Sequence, residues 1–131
     1  MTEIKADGLT FNFEGEEKIR TDLLKTFPFD SPAQRITTET HEFSAVCPFS
    51  GLPDVADVTL IYKPTGGRCV ELKSLKYYFT SFRNVGIYQE GVTKRIQRDL
   101  SELLGTDVFV RTTYRTRGGF DTICEEGSVT A

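Results

Sequence analysis

The thiol of Cys47 and the carboxylate of Asp54 are well suited to act together in a chemical reaction. Cys47 ends a predicted strand and opens the segment CPFSGLPD, whose prolines and glycine fix an irregular backbone. A thiol on a rigid loop can attack an electrophilic ligand, and a carboxyl group seven residues later can exchange protons with the sulfur and with the atom under attack. A small buried side chain and a turn-capping carboxylate would suit the same residues. Their spacing alone leaves both interpretations open.

The stretch ELKSLKYYFTSFRNVGIYQE, residues 71–90, combines cations, aromatic side chains and carboxylates. Its apolar residues have helical spacing and predict a helix over about 74–82, with Ser74 as the N-cap: Leu75, Tyr78, Phe79 and Phe82. Lys73 and Lys76 then lie at the helix start, where the macrodipole disfavours cations, and a bound anion would remove that conflict. Solvated surface lysines are the alternative.

Glu90 and Arg117 are two more candidates. Glu90 opens a predicted second helix, where a carboxylate is favourable for the helix alone. Arg117 precedes Gly118 and Gly119, which fits either an exposed charge on a bulge or a cation that a phosphate can approach closely.

The secondary-structure patterns predict an α+β fold of one domain. The chain has 131 residues, 38% hydrophobic and 27% charged, the size and composition of a single domain. Helical spacing appears early in the chain and again over 90–104, before Gly105. Strands are predicted over 35–46, 55–62, 68–72, 106–115 and 120–124, with the second and third paired antiparallel across the turn PTGG. We expect an antiparallel sheet with two helices on one face.

Composition excludes several classes of protein. A net charge of -3 gives no general attraction to a polyanion. The N-terminus has no signal-peptide pattern, and no apolar run is long enough to span a bilayer, so we expect a cytoplasmic protein without a membrane partner. Three cysteines and one histidine argue against a disulfide framework and against a metal site. A small sheet with open edges favours oligomerisation.

Four motifs, in this order, resemble the NADPH-dependent 7-cyano-7-deazaguanine reductases, the unimodular QueF-type nitrile reductases of queuosine biosynthesis. They are CPFSGLPD at 47–54, ELKSLKYY at 71–78, SFRN at 81–84 followed by Glu90, and RGG at 117–119. The resemblance covers roughly residues 35–123.

The resemblance implies a fold and an assembly. The family has the tunnelling fold, in which subunits join their antiparallel sheets into a ring with active sites at the subunit interfaces. Residues 36–131 would form this domain, and residues 1–35 an N-terminal extension with a short helix.

The resemblance also implies a reaction. Cys47 would attack the nitrile carbon of the deazapurine to form a covalent thioimide, and Asp54 would donate the proton. Two hydride transfers from NADPH would then give the aminomethyl product. The remaining implied substrate-binding residues are Glu90, which would bind the amino-pyrimidinone edge of the base, and Glu71, Ser74 and Gln89. The implied cofactor-binding residues are Lys73, Lys76, Arg117 and Gly118.

One position departs from the family, which usually has histidine where this chain has Gln89. Glutamine can hydrogen-bond but cannot carry a proton near neutral pH. An alternative therefore stays open, in which the thioimide reacts with ammonia to give an amidine on tRNA, as in archaeosine formation, without NADPH. Only that alternative predicts a nucleic-acid partner. A non-catalytic purine-binding protein is a third possibility, but it would have no reason to keep Cys47 and Asp54 together.

Overall fold

The structure is a computed structural model that describes residues 11–128. Two 3₁₀ turns, Glu16–Lys18 and Thr21–Leu23, come first. The strands and helices follow in the order β1 (Thr26–Pro28), β2 (Ile36–Val46), β3 (Pro53–Tyr62), β4 (Arg68–Val70), α1 (Leu72–Thr80), α2 (Gln89–Leu104), β5 (Phe109–Tyr114) and β6 (Ile123–Glu126). No helix in this part of the chain is long and apolar enough to cross a bilayer.

The main sheet is antiparallel, with the strand order β2-β3-β5-β6. Both helices lie on one of its faces. On that face Val58 of β3 lines a cavity with Leu75 of α1, and Thr112, which is opposite Val58 in the register, contacts Thr93 of α2. The α+β class and the segregation of the helices to one face are therefore confirmed.

The predicted pairing of β4 with β3 across PTGG is wrong, because β4 pairs with β1 in a separate two-stranded sheet. Two side chains direct β4 away from β3. The Val70 N–H donates to the Tyr62 hydroxyl at 3.2 Å, and the Arg68 Nε–H donates to Leu103 O at 2.7 Å, at the end of α2. The first bond gives a backbone N–H the partner that a β-hairpin would otherwise supply, and the second holds the Arg68 side chain at the end of α2.

The short helix predicted within residues 1–35 is instead two separate 3₁₀ turns. Ile19 and Leu24 end these turns with extended backbone, at ψ angles of 128° and 133°, and both side chains are buried. Helical spacing here reflects burial of two residues rather than a continuous helix. The division of the chain into an N-terminal extension and a domain at residue 35 stays a prediction. Residues 1–10 of the extension and 129–131 of the domain lie outside the described part of the chain.

Helix α1 begins earlier than predicted, and its N-cap is Glu71 rather than Ser74. The Glu71 carboxylate accepts the Lys73 N–H at 2.8 Å and the Ser74 N–H at 2.9 Å. A carboxylate is favourable at this position because it pairs with exposed N–H groups and with the positive end of the macrodipole. The second helix is close to its predicted bounds, and Gly105 ends it with a φ of 65°.

A buried carboxylate joins the two helices. Asp99 of α2 is only 4% exposed; it accepts the Tyr78 O–H at 2.7 Å and the Arg95 Nε–H at 2.8 Å. Burial raises the pKa of Asp99, but the bonds from Tyr78 and Arg95 outweigh burial and hold it below its ordinary value. The Thr21 hydroxyl donates to the same carboxylate at 3.1 Å, so an N-terminal turn is attached as well.

We predict that Asp99→Asn lowers the free energy of unfolding at pH 7 by about 1–3 kcal/mol, because it replaces the charged acceptor of several hydrogen bonds in a buried site by a neutral amide. A lowered folded-state pKa stabilises the protein above the unfolded-state value of about 3.9, and this stabilisation is lost as the pH falls through the folded-state value. The difference between variant and wild type should therefore shrink below about pH 4. Urea unfolding across this range measures it, with exposed Glu102→Gln of the same helix as the control. Equal stability of the Asp99 and Glu102 variants would show that the buried hydrogen bonds of Asp99 do not stabilise the fold.

Candidate active site

One cavity brings together the catalytic candidates and several of the binding candidates. It has a volume of about 360 Å³ and lies where the ends of β2, β3, α2 and the β5–β6 connection meet. Its lining residues are Cys47, Asp54, Tyr88, Gln89, Glu90, Arg117, Phe120 and Thr122.

The backbone of Val46 fixes the relative positions of these groups. On one side, Val46 pairs with Pro53 of β3. On the other, its N–H donates to Val85 O at 3.0 Å, and its carbonyl accepts the Ile87 N–H at 3.1 Å. Cys47 follows Val46, Asp54 follows Pro53, and α2 begins two residues after Ile87. Three chain segments therefore reach the cavity in fixed register.

Cys47 starts a tight turn closed by its own backbone. The Cys47 N–H donates to Leu52 O at 2.9 Å, and the Gly51 N–H donates to Cys47 O at 2.7 Å. Gly51 has a φ of 72°, and a Cβ there would lie 2.3 Å from Phe11 O. The turn therefore requires glycine both for its left-handed backbone and for contact with residue 11.

The turn directs hydrogen-bond donors at the Cys47 sulfur. The Phe49 N–H donates to Sγ at 3.4 Å. Burial raises the pKa of Cys47, but bonds from the Phe49 N–H and from the backbone and hydroxyl of Ser50 outweigh it, so the pKa lies below its ordinary value; the charge of Asp54 opposes them. Stabilising the thiolate makes Cys47 a better nucleophile near neutral pH.

Asp54 is a buried carboxylate paired with a cation. The residue is 5% exposed, and Ala45 lies opposite it in β2. Arg117 Nη1 forms an ion pair with Asp54 Oδ1 and also donates to Pro53 O at 3.4 Å. A guanidinium has five N–H donors, so this pair leaves edges of Arg117 for another anion.

The glycines after Arg117 form a two-residue turn. Gly118 and Gly119 have φ angles of 59° and 86°, and Arg117 and Phe120 exchange backbone hydrogen bonds of 3.0 and 2.9 Å. Consecutive positive φ angles are typical of a type I′ turn, which explains the pair of glycines. The turn places Arg117 and Phe120 together at the cavity.

Buried hydroxyls support the first turn of α2, where Gln89 and Glu90 lie. The Thr93 hydroxyl donates to Gln89 O at 3.1 Å, and the Tyr114 hydroxyl approaches the same carbonyl at 3.5 Å. Thr93 also contacts the Thr112 hydroxyl at 2.7 Å. Burial raises the pKa of Tyr114, so its phenol stays a neutral hydrogen-bond donor.

Five predicted site residues do not line this cavity: Glu71, Lys73, Ser74, Lys76 and Gly118. Glu71 caps α1, and the buried Ser74 hydroxyl donates to Glu71 O at 2.7 Å and accepts the Lys25 N–H at 3.0 Å. Lys73 and Lys76 are exposed on α1. The two lysines at the helix start had led us to expect a bound anion. The Glu71 carboxylate provides part of that negative charge.

Lys76 borders a second cavity, between α1 and β2, of about 230 Å³. Lys76 Nζ lies 3.9 Å from a carboxylate oxygen of Glu42, and Arg83 lines the same cavity. The floor is apolar, with Phe43, Leu60 and Phe79 among its residues. Cations beside an apolar floor are compatible with a ligand that carries both a ring and a phosphate.

Sequence reasoning missed the aromatic side chains around Cys47. Phe49 is 84% exposed, Tyr88 63% and Phe120 75%. Tyr88 directly precedes Gln89 and Glu90, and Phe120 directly follows the RGG motif, so adjacency to recognised motifs was an available signal. Nothing in their local patterns indicates that Tyr88 and Phe120 meet at one cavity.

Comparison with known proteins agrees with this geometry. The sequence model of a family described as QueF-like protein matches residues 53–130. Proteins of Thermotoga petrophila and Thermotoga maritima, each named NADPH-dependent 7-cyano-7-deazaguanine reductase, are 57% identical over 126 residues, covering 95% of this chain and 92% of each relative. A Caldicellulosiruptor bescii protein of the same name is 47% identical over 115 residues, covering 86% of this chain and 87% of that relative.

The fold also matches a solved structure, that of the archaeosine synthase QueF-Like in the apo form. The TM-score is 0.63, and the match covers 76% of this chain and 96% of the other. Identity is 22%, so the match establishes the tunnelling fold and carries no information on the reaction.

We predict that Gly51→Ala disrupts the Cys47 turn more than left-handed backbone strain alone would. Gly67 is the matched control, since its φ is 77° and a Cβ added there would have no described atom within 4 Å. Gly67→Ala should cost about 1–2 kcal/mol of unfolding free energy, whereas Gly51→Ala adds the contact with Phe11 O. Only Gly51→Ala should also slow alkylation of Cys47 by iodoacetamide. Equal effects of the two substitutions would show that contact with residue 11 does not hold the turn.

Proposed function

Since this chain belongs to the QueF-like protein family, we propose that it is an NADPH-dependent 7-cyano-7-deazaguanine reductase, which reduces the nitrile to the aminomethyl group of 7-aminomethyl-7-deazaguanine. The observation that carries this function is the 57% identity, over 95% of the chain, to relatives of that name. The amidine-forming alternative is not favoured, because the likeness to an archaeosine synthase extends to the fold alone at 22% identity. A cytoplasmic location stays a prediction.

We assign the covalent step to Cys47 and Asp54. The sulfur attacks the nitrile carbon, one C–N π bond breaks, and the nitrogen takes up a proton to give a thioimide. Asp54, which is paired with Arg117, can accept the thiol proton and then deliver it to this nitrogen. The carboxylate is unchanged at the end of the step, and the S–H and π bonds have been exchanged for S–C and N–H bonds.

Glu90 and Gln89 are assigned to the base. A carboxylate can accept two parallel N–H bonds from an amino-pyrimidinone edge, and Glu90 lines the cavity with Cys47. Gln89 supplies an amide that can donate and accept hydrogen bonds. The hydroxyls of Thr93 and Tyr114 hold the Gln89 carbonyl, which keeps this turn of α2 in place while the base binds.

The charges of the candidate cofactor-binding cations suit a phosphate-bearing cofactor, although these cations do not lie together within one subunit. When bound, NADPH supplies hydride, two equivalents for each nitrile in this four-electron reduction. Lys73 and Lys76 lie three residues apart on α1, the spacing of one helix face, and would bind phosphate together. Arg117 and the unhindered backbone of Gly118 would add a second contact.

We propose that a neighbouring subunit completes the site. Lys73 and Lys76 do not line the cavity of their own chain, and the cavity lining includes two exposed aromatic side chains, Tyr88 and Phe120. Such an exposed apolar group is typical of an interaction surface. Strands β2 and β6 are the two ends of the four-stranded sheet, so they can pair with neighbouring sheets in a ring. Glu71 and Ser74, at the start of α1, would also reach the substrate in a site that a neighbouring subunit completes.

We predict that Cys47→Ala abolishes both the covalent adduct and turnover, whereas Asp54→Asn retains substrate binding but loses most turnover, by about 10²-fold or more. Intact-mass spectrometry with 7-cyano-7-deazaguanine measures the adduct, and NADPH absorbance measures turnover. Wild-type protein should consume two NADPH per base. An active Cys47→Ala variant would disprove the thioimide, and an adduct released only by ammonia would transfer the protein to the amidine-forming reaction.

If active sites form between subunits, we predict that two variants, each inactive alone, restore activity when they are combined in one oligomer. Cys47→Ala keeps the lysines, and the double variant Lys73→Glu/Lys76→Glu keeps the nucleophile. In a randomly mixed ring about a quarter of the sites would combine both intact halves. Co-expression with two different tags, followed by tandem purification and an assay, measures this. Absence of activity in verified mixed oligomers would place the lysines and Cys47 of a working site in one subunit.

A further inference from the structure

Residues 11–14, here called the strap, contact the turn that holds Cys47. The Phe11 N–H donates to Ser50 O at 2.9 Å, and a Cβ at Gly51 would lie 2.3 Å from Phe11 O. Both contacts are made by backbone atoms of residue 11, so they depend on where the strap lies and not on the Phe11 side chain. The strap therefore supports the Cys47 turn from outside the cavity.

The other end of the strap pairs with residues 84–87, which lead into the first turn of α2. The Glu14 N–H donates to Asn84 O at 2.7 Å, and the Gly86 N–H donates to Glu14 O at 2.8 Å, as in a parallel strand pair. Through their opposite edge, residues 84–87 bond to Val46. The strap therefore makes a second connection between the Cys47 turn and α2, in addition to the connection through Val46.

Phe13 holds the strap against residues 84–87. A Cβ at Gly86 would lie 2.3 Å from Cδ1 and 2.4 Å from Cε1 of the Phe13 ring, so the ring packs directly on the glycine. Gly86 does not have a positive φ angle, and its backbone conformation does not require glycine. What glycine provides here is space for the ring. Among the described residues, Phe13 is half-buried and is not part of the hydrophobic core.

We propose that Phe13 is a positioning residue for the covalent step: it holds the strap on residues 84–87 and thereby fixes the position of Cys47 relative to Glu90. This inference rests on the proposed function of the cavity. The sulfur must reach the nitrile carbon while α2 holds the base, and a displacement of about 1 Å between nucleophile and substrate can slow a reaction about a hundredfold. Two connections on different sides restrict such a displacement more than the bonds of Val46 alone.

The test adds the same methyl group at two glycines. Gly86→Ala should displace the Phe13 ring and slow adduct formation with saturating 7-cyano-7-deazaguanine by about tenfold or more, as followed by intact mass. Gly66→Ala is the matched control, because a Cβ there would lie 2.1 Å from Leu104 O, at the opposite end of α2 from the cavity. It should destabilise the fold in urea unfolding and leave the adduct rate of the folded protein unchanged.

Removal of the ring should reverse the effect of the methyl group. Phe13→Ala alone should slow adduct formation less than Gly86→Ala does, because the backbone bonds of the strap remain. In the double variant Gly86→Ala/Phe13→Ala the methyl group has space, so the adduct rate should rise to that of Phe13→Ala alone. An unchanged adduct rate in Gly86→Ala would overturn the proposal. A loss that Phe13→Ala does not relieve would also overturn it, since the methyl group would then act through Val46.

Alkylation of Cys47 by iodoacetamide, read by peptide mass, separates this proposal from the proposed function. If wild-type protein forms no adduct with the nitrile, the proposed reaction fails, and the same variants are compared by their alkylation rates. Slower alkylation in Gly86→Ala, restored in the double variant, would then support the role of Phe13 in holding the Cys47 turn. Equal alkylation rates in Gly86→Ala and Gly66→Ala would overturn that role as well.

Discussion

The position of the candidate active site depends on the backbone hydrogen bonds of Val46. This residue ends β2, pairs with Pro53 on one side, and bonds to Val85 and Ile87 on the other. Each partner leads directly to a group in the cavity: Pro53 to Asp54, and Ile87 to the first turn of α2. Because backbone pairing has fixed spacing, one register sets the positions of Cys47, Asp54 and Glu90 together. A slip of one residue would turn Asp54 away from the cavity.

Local patterns predicted the parts of this site that are close in sequence. The turn between Cys47 and Asp54 is short and rich in proline and glycine, so their proximity follows from seven residues of chain. Helix α2 follows from its apolar spacing, and its end at Gly105 follows from the left-handed backbone that glycine favours there. The aromatic side chains of Tyr88 and Phe120, and the ion pair of Arg117 with Asp54, depend on segments that meet only in the folded protein. Periodicity describes a segment but does not identify its partner.

The same limit explains the wrong predictions. The turn PTGG looks like a hairpin connection, yet the Tyr62 hydroxyl and the end of α2 supply partners that lead β4 to β1 instead. Ser74 has the chemistry of an N-cap, but the Glu71 carboxylate takes that position and Ser74 is buried against residue 25. In both cases several residues could satisfy one local rule, and tertiary hydrogen bonds decided which did.

The position of Cys47 also has a consequence for the newly made chain. An isolated turn of six residues is not stable in water, and this one is held by Phe11 on one side and by the bonds of Val46 to the distant residues Val85 and Ile87 on the other. Contacts between distant residues form late, after their loop-closure entropy has been overcome. Until then the Cys47 sulfur lacks its aligned donors and behaves as an ordinary, mostly protonated thiol. Folding therefore delays the lowering of the Cys47 pKa until the surrounding cavity exists, which limits oxidation and unwanted disulfide exchange during synthesis.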